Sequence, residues 1–215
     1  MMNMRSWLQT NRVPLISFSA GFVLVAALLL HYDGVLVRVF DDLYKRSPYA
    51  PVLEHFDAVV SFIGNGSTQV ASALFLYLWG VFFPYRRTRR AGRTLLMAFL
   101  VSGCFAQVSK HLLGRARPRI NFATHFAGPT LEHSMDSFPS GHTLVTFCLA
   151  HVLSFYFPRY RLWFYLAALI VGFERMLCAT HFPSDVVAGA LLGIAIAAAL
   201  LGYTPTRPLS SSSYL

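Results

Sequence analysis

RMLCATHFPSDVVAGALLGIAIAAAL, residues Arg175 to Leu200, decides the fold. It closes one apolar run, Leu162 to Phe173, and opens another, Val186 to Tyr203, with Arg175, His181 and Asp185 packed into the short connection. Ionisable groups are expensive beside hydrocarbon, so a charged cluster between two such runs is a functional candidate by default. Working outward, four more runs appear: Pro14 to His31, Gly66 to Tyr85, Thr94 to Ser109 and His142 to Pro158. All six are long enough, or nearly so, for a core about 30 Å thick that about 20 helical residues cross. The whole chain is 55% hydrophobic and 13% charged, against roughly 25% charged in soluble domains. These features predict an all-α polytopic membrane protein with six transmembrane helices in a bundle.

Charge placement sets the orientation. With six spans, one side collects Arg5, Arg12, Arg86, Arg87, Arg89, Arg90, Arg93, Arg159, Arg161 and Arg207 and no acid, while all nine acids fall on the other. The Arg-only side is cytoplasmic by the positive-inside rule, so the Arg175–Asp185 connection faces the periplasm or exterior of a cytoplasmic membrane. The net charge of +9 is dispersed among apolar spans and forms no soluble basic face, which argues against nucleic acid as partner. The first run, longer than a signal-peptide core and without a small-residue cleavage site, is expected to be a retained anchor. Cys104, Cys148 and Cys178 show no metal-ligand spacing and are expected to be small buried hydrophobes.

Between the first two runs, Val52, Leu53, Phe56, Val59, Val60 and Ile63 recur at helical spacing, with Glu54, Asp57 and Ser61 on other faces. This predicts an amphipathic helix at the membrane interface, either a wall beside the site or a connector resting on the bilayer. Residues 1–203 are expected to form one membrane-embedded domain. Residues 204–215, with two prolines and four consecutive serines, are expected to be a disordered cytoplasmic tail.

Two further patches fall on the same side as Arg175–Asp185. Lys110 and Arg117 are seven residues apart, which on one helix places them about 10.5 Å apart along one face, with Pro118 marking the helix end. Both cations can converge on an anion, the alternative being headgroup anchoring by snorkelling. Pro139-Ser140-Gly141-His142 precedes the fourth run, so Ser140 and Gly141 fall at a helix start, where free N–H groups attract an anion. His142 suits a general acid and His181 a nucleophile, with Asp185 four residues on to hold its tautomer. Three cations, two imidazoles and an orienting acid suit phosphoryl transfer without a metal. His111, His125 and His133 match no motif and are expected to be loop or interfacial residues. Arg115 and Arg119 would hold an anionic headgroup or lie in a solvated basic loop, and His151, mid-span, would bond across helices.

Lys110-x6-Arg117-Pro118, Pro139-Ser140-Gly141-His142 and Arg175-x5-His181-x3-Asp185 together resemble the three-part signature of the type 2 phosphatidic acid phosphatase superfamily, integral membrane lipid phosphatases related to vanadium-dependent haloperoxidases. The resemblance implies a six-helix bundle and metal-independent hydrolysis with no cofactor. It implies that Lys110, Arg117 and Arg175 bind phosphate with the Ser140-Gly141 backbone, that His181 is transiently phosphorylated, that His142 protonates the leaving group and that Asp185 assists His181. The family commonly has Ser before the third-patch arginine, where this chain has Glu174. The expected substrate is a lipid phosphomonoester or diphosphate drawn from the bilayer: undecaprenyl diphosphate, phosphatidylglycerophosphate, phosphatidic acid or a lipid A phosphate. A lipid phosphotransferase using the same intermediate, or a non-catalytic lipid-binding or transport protein, are the alternative readings. Oligomeric state is not legible.

Overall fold

The computed structural model of the chain describes residues 12–83 and 85–203. Seven α-helices follow one another among them: α1 (Arg12–Arg46), α2 (Ala50–Gly64), α3 (Gly66–Phe82), α4 (Arg86–Leu113), α5 (Gly141–Tyr156), α6 (Arg161–Leu177) and α7 (Pro183–Tyr203). Each of the six apolar runs lies largely within one helix, and α2 is the segment whose periodicity was helical but whose length was short of a span. Two differences matter. First, α1 does not stop near His31; it runs on to Arg46, because no proline or glycine pair interrupts it. Second, the Arg86 to Arg93 stretch, read as a connection, forms the first two turns of α4.

By length and composition two helices, Arg86–Leu113 and Pro183–Gly202, can cross a membrane, and up to four spans result if each of two bent helix pairs is one span. One such pair is α2 with α3, which meet at 51° through Asn65, whose side chain caps α3 by accepting from the Ser67 N–H. The six-span count is thus not reproduced. At 16 residues, α5 is about 24 Å long, short of a core about 30 Å thick. The expected tail, 204–215, lies outside the described residues.

The bundle is built around α5, which packs against α7, α6 and α4, while α3 lies along α4 and α1 along α7. Lipid-exposed helices gain nothing by hiding apolar side chains from one another, so close backbone approach at small residues does the joining. A Cβ on Gly193 would collide with the Leu144 carbonyl, and one on Gly92 with the backbone of Tyr77. The main apolar cluster, Ala73, Ala91, Leu95, Ala98, Phe99, Cys148, Val152, Tyr156, Ala197 and Leu201, is accordingly rich in alanine. His151 accepts or donates a hydrogen bond at 2.7 Å with Tyr165 of α6, the interhelical bond expected of a mid-span histidine. Cys148 and Cys178 are buried, as expected, but Cys104 is exposed.

Candidate active site

The polar residues gather at the end of the bundle where α4 and α6 finish and α5 and α7 begin. Here α4 stops at Leu113, because Gly114 takes a left-handed φ of 55° that closes the helix. Arg117 is therefore not on the helix of Lys110, as its spacing suggested. It lies beyond Arg115, which forms isolated bridges with Phe126 and Asp136. Convergence is achieved all the same, through a residue the sequence reading passed over. Asp136 accepts from Arg117 Nε at 2.7 Å and Nη2 at 2.9 Å, and Lys110 Nζ lies 3.6 Å from its Oδ2. Burial pushes the Asp136 carboxyl up, but the Arg117 bonds and the charges of Arg117 and Lys110 outweigh it and hold the group below the usual range.

Ser140 is the N-cap of α5 and fully buried. Its hydroxyl pairs with Thr143 at 2.9 Å and its own N–H donates to the Asp185 carbonyl at 3.1 Å. The anion-binding donors left at this helix start are the next N–H groups, at Gly141 and His142. A Cβ on Gly141 would stand 3.7 Å from Lys110 Nζ, which places that cation directly over the helix start. The His142 ring packs beside Gly64 at the end of α2, where a Cβ would be 3.1 Å away.

Arg175, in the last turn of α6, is held along its Nε–Nη2 edge. Nε donates to Glu174, and Nη2 donates to Asp57 at 2.9 Å and to Ser61 while forming an ion pair with the Glu174 carboxylate. Among the described residues its Nη1 makes no hydrogen bond, nor does that of Arg117. Asp57, Glu174 and Cys178 have donor atoms within 4.8 Å of one another, a set of metal-ligand types. Two of the three are committed to Arg175, whose cation stands where a metal's charge would.

His181 is 3% exposed and is aimed by a tight turn. Ala179 adopts a left-handed φ of 48°, and the N–H groups of Thr180 and His181 both return to the Arg175 carbonyl. The ring is not held as its spacing from Asp185 suggested. Nδ1 donates to the Ser137 carbonyl at 2.8 Å, while Asp185 Oδ2 stands 3.7 Å away and accepts from the Ser137 hydroxyl at 2.6 Å and the Phe182 N–H at 2.9 Å. With Nδ1 engaged, Nε2 carries the free lone pair. Burial lowers the His181 pKa, the Asp185 carboxylate opposes that shift, and Arg117 and Lys110 add to it.

A sequence profile described as the PAP2 superfamily matches residues 91–208, more than half of the chain. The chain belongs to the PAP2 superfamily. It is 29% identical over 184 residues to a lipid A 1-phosphatase of Rhizobium johnstonii, covering 78% of this chain and 75% of that one. It is also 29% identical to phosphatidylglycerophosphatase B of Bacillus subtilis, over 80% of this chain and 86% of that one. Among solved structures, a transmembrane PAP2-type phosphatidylglycerolphosphate phosphatase from Bacillus subtilis superposes with a TM-score of 0.69 at 24% identity, covering 89% of this chain and 97% of that chain, a likeness of fold. These relatives of the PAP2 chain are by name lipid phosphatases, and the solved one is transmembrane.

The structure brings Lys110, Arg117, Ser140, Gly141, His142, Arg175, His181 and Asp185 to one end of the PAP2 bundle. Arg115 behaves otherwise than either reading: it is fully buried and touches neither headgroup space nor water. Arg119 donates to the Cys178 carbonyl at 3.2 and 3.0 Å, tying the loop after α4 to the end of α6. His111 bonds the Thr130 carbonyl at 3.0 Å, as a loop histidine would. Asp33, Asp57, Ser61, Asp136 and Ser137 were missed. The one available signal was that Asp136 and Ser137 lie within four residues of Ser140; Asp33, Asp57 and Ser61 come from elements without a motif.

Proposed function

We propose that this PAP2 protein removes phosphate from a lipid phosphomonoester or diphosphate by way of a phosphohistidine on His181. The observation that carries the reading is the convergence of Lys110 and Arg117 on the carboxylate of Asp136, beside the open helix start at Gly141 and the His181 ring. A carboxylate and a phosphoryl group ask for the same donors, so Asp136 marks an anion site. A phosphoryl group seated there meets Lys110, the Nη1 edges of Arg117 and Arg175, and the Gly141 and His142 N–H groups. Fixed donors of this kind stabilise the charge that spreads over the phosphoryl oxygens in the transition state.

His181 Nε2 attacks phosphorus; the Nε2–P bond forms as the P–O bond to the lipid breaks, and His142 gives its proton to the departing oxygen. In the second half His142 takes a proton from water, the water oxygen bonds to phosphorus, and inorganic phosphate leaves His181 neutral again. Asp185 stabilises the cationic ring without holding it directly. No step calls for a metal.

The finer placement belongs to the same proposal. The site faces away from the cytoplasm of a cytoplasmic membrane, six apolar segments enter the bilayer, and α2 lies at its surface. Val52, Val59, Phe62 and Ile63 on α2 are all more than half exposed while Asp57 and Ser61 point inward, the pattern of an element bathed in lipid. Substrates with long hydrocarbon tails reach such a site laterally. The test is phosphate release from purified lipid phosphates in detergent with excess chelator, comparing the parent with His181→Ala. Release by the parent alone, with an acid-labile phosphoenzyme, is expected; equal release by both, a strict metal requirement, or transfer only to a lipid acceptor would overturn it.

A further inference from the structure

The extension of α1 beyond His31 brings Asp33, far from any signature residue, underneath the His181 turn. It is fully buried. Its Oδ1 accepts from the Ser184 N–H at 3.0 Å, and its Oδ2 accepts from Arg115 Nη2 at 2.6 Å and from the Ser184 hydroxyl. Arg115, also fully buried, lies 4.2 Å from the Phe182 ring centroid and 5.2 Å from that of Phe126. Its Nη1 donates to Ser184 Oγ at 2.7 Å and to Asp185 Oδ1. Each carboxylate accepts from Arg115 and from a backbone N–H, Ser184 for Asp33 and Phe182 for Asp185, groups that can only donate, and such bonds favour a carboxylate over a carboxyl group.

With both acids as carboxylates, the Asp33–Arg115–Asp185 set carries two negative charges and one positive, all out of water. An unbalanced buried charge is costly, and the group placed to balance it is His181, whose Nδ1 stands 3.7 Å from Asp185. When Nε2 bonds to phosphorus and Nδ1 keeps its proton on the Ser137 carbonyl, the ring becomes a cation. We propose that Asp33 is a positioning residue whose carboxylate, acting through Arg115 and Asp185, provides the net negative charge that stabilises the phosphorylated, cationic ring of His181. Without it Arg115 would cancel Asp185, and the ring would face only the cations Lys110 and Arg117, with Asp136 and His142, on its other side. The inference rests on the phosphohistidine reading.

The test is kcat, KM and the pH profile of Asp33→Asn, alongside the double variant Asp33→Asn/Arg115→Gln, with steady-state phosphoenzyme trapped at alkaline pH. The single variant should lose roughly tenfold or more in kcat, the factor one pKa unit represents, with KM nearly unchanged and less phosphoenzyme. Its acid limb should move to lower pH, because removing a negative charge disfavours the imidazolium. The double variant restores the parental net charge while losing more hydrogen bonds, so it should regain activity over the single one and return the acid limb. An unshifted limb, a double variant worse than the single, or failure of both variants to yield a monodisperse protein would overturn the proposal and make the set a device of folding alone. Absence of any phosphoenzyme in the parent would instead overturn the phosphohistidine reading itself.

Discussion

The two ends of the bundle are held together by opposite means. Around Ala73, Ala91, Leu95, Ala98 and Ala197, helices meet through small apolar side chains and bare backbone. At the other end Asp33, Arg115, Glu174, Arg175, His181 and Asp185, none more than 5% exposed, are joined by ion pairs and charged hydrogen bonds. The first kind of contact is specified by shape and tolerates volume-conserving change. The second is specified by pairing, and removing one partner strands the other charge in a medium that cannot solvate it. The fixed charges gather at the end where α5 and α7 begin, where backbone N–H groups are not used up within the helices.

The sharpest way to break this contrast is His181→Ala, which should lower kcat about ten-thousandfold or more, as loss of a nucleophile does, while the purified protein keeps its melting temperature. Next, Arg117→Ala should reduce kcat/KM by about a hundred- to a thousandfold, the range for one preorganised donor, and should also weaken inhibition by vanadate. At the apolar end the expected effect reverses. Ala197→Leu should destabilise by roughly 1–3 kcal/mol through overpacking of that cluster, read as a lower melting temperature with turnover per folded molecule little changed.

A smaller effect concerns pH. Because burial lowers the His181 pKa, its neutral form persists below the ordinary histidine value of about 6.5. The acid limb of kcat/KM should lie beneath that value, activity being lost as pH falls through it; a midpoint above it would contradict the buried setting. The least is expected of Glu174→Ser, which releases one edge of Arg175 that Asp57 and Ser61 still hold. A few-fold change in vanadate affinity with kcat nearly parental would show that Glu174 orients the arginine rather than sharing in the reaction.

These contrasts also explain what could be read in advance. Apolar runs announce helices because hydrocarbon length is written in composition, so the helix for each run was legible. The three patches were legible because ionisable residues are rare in such a chain. What escaped was whatever depends on where a helix ends in space. Lys110 and Arg117 looked like one helical face, yet Gly114 interrupts it, and a lone glycine near a helix end is an ambiguous signal. Asp185 looked like the partner of His181 by spacing, whereas the nearest acceptor is a backbone carbonyl, which no residue type reveals. Arg115 and Asp33 looked like unrelated polar residues because their pairing spans 82 positions.

Both arginines of the anion site are gripped along one edge by acids, Arg117 by Asp136 and Arg175 by Glu174 and Asp57. Much of the guanidinium charge is thus already answered inside the cavity, which weakens the field it projects into its surroundings. On a leaflet crowded with anionic headgroups, a strongly positive mouth would be clogged by whatever drifted past. A cavity that shows its charge only at bonding distance instead selects for a terminal phosphate able to reach inside, and its catch should depend only weakly on ionic strength.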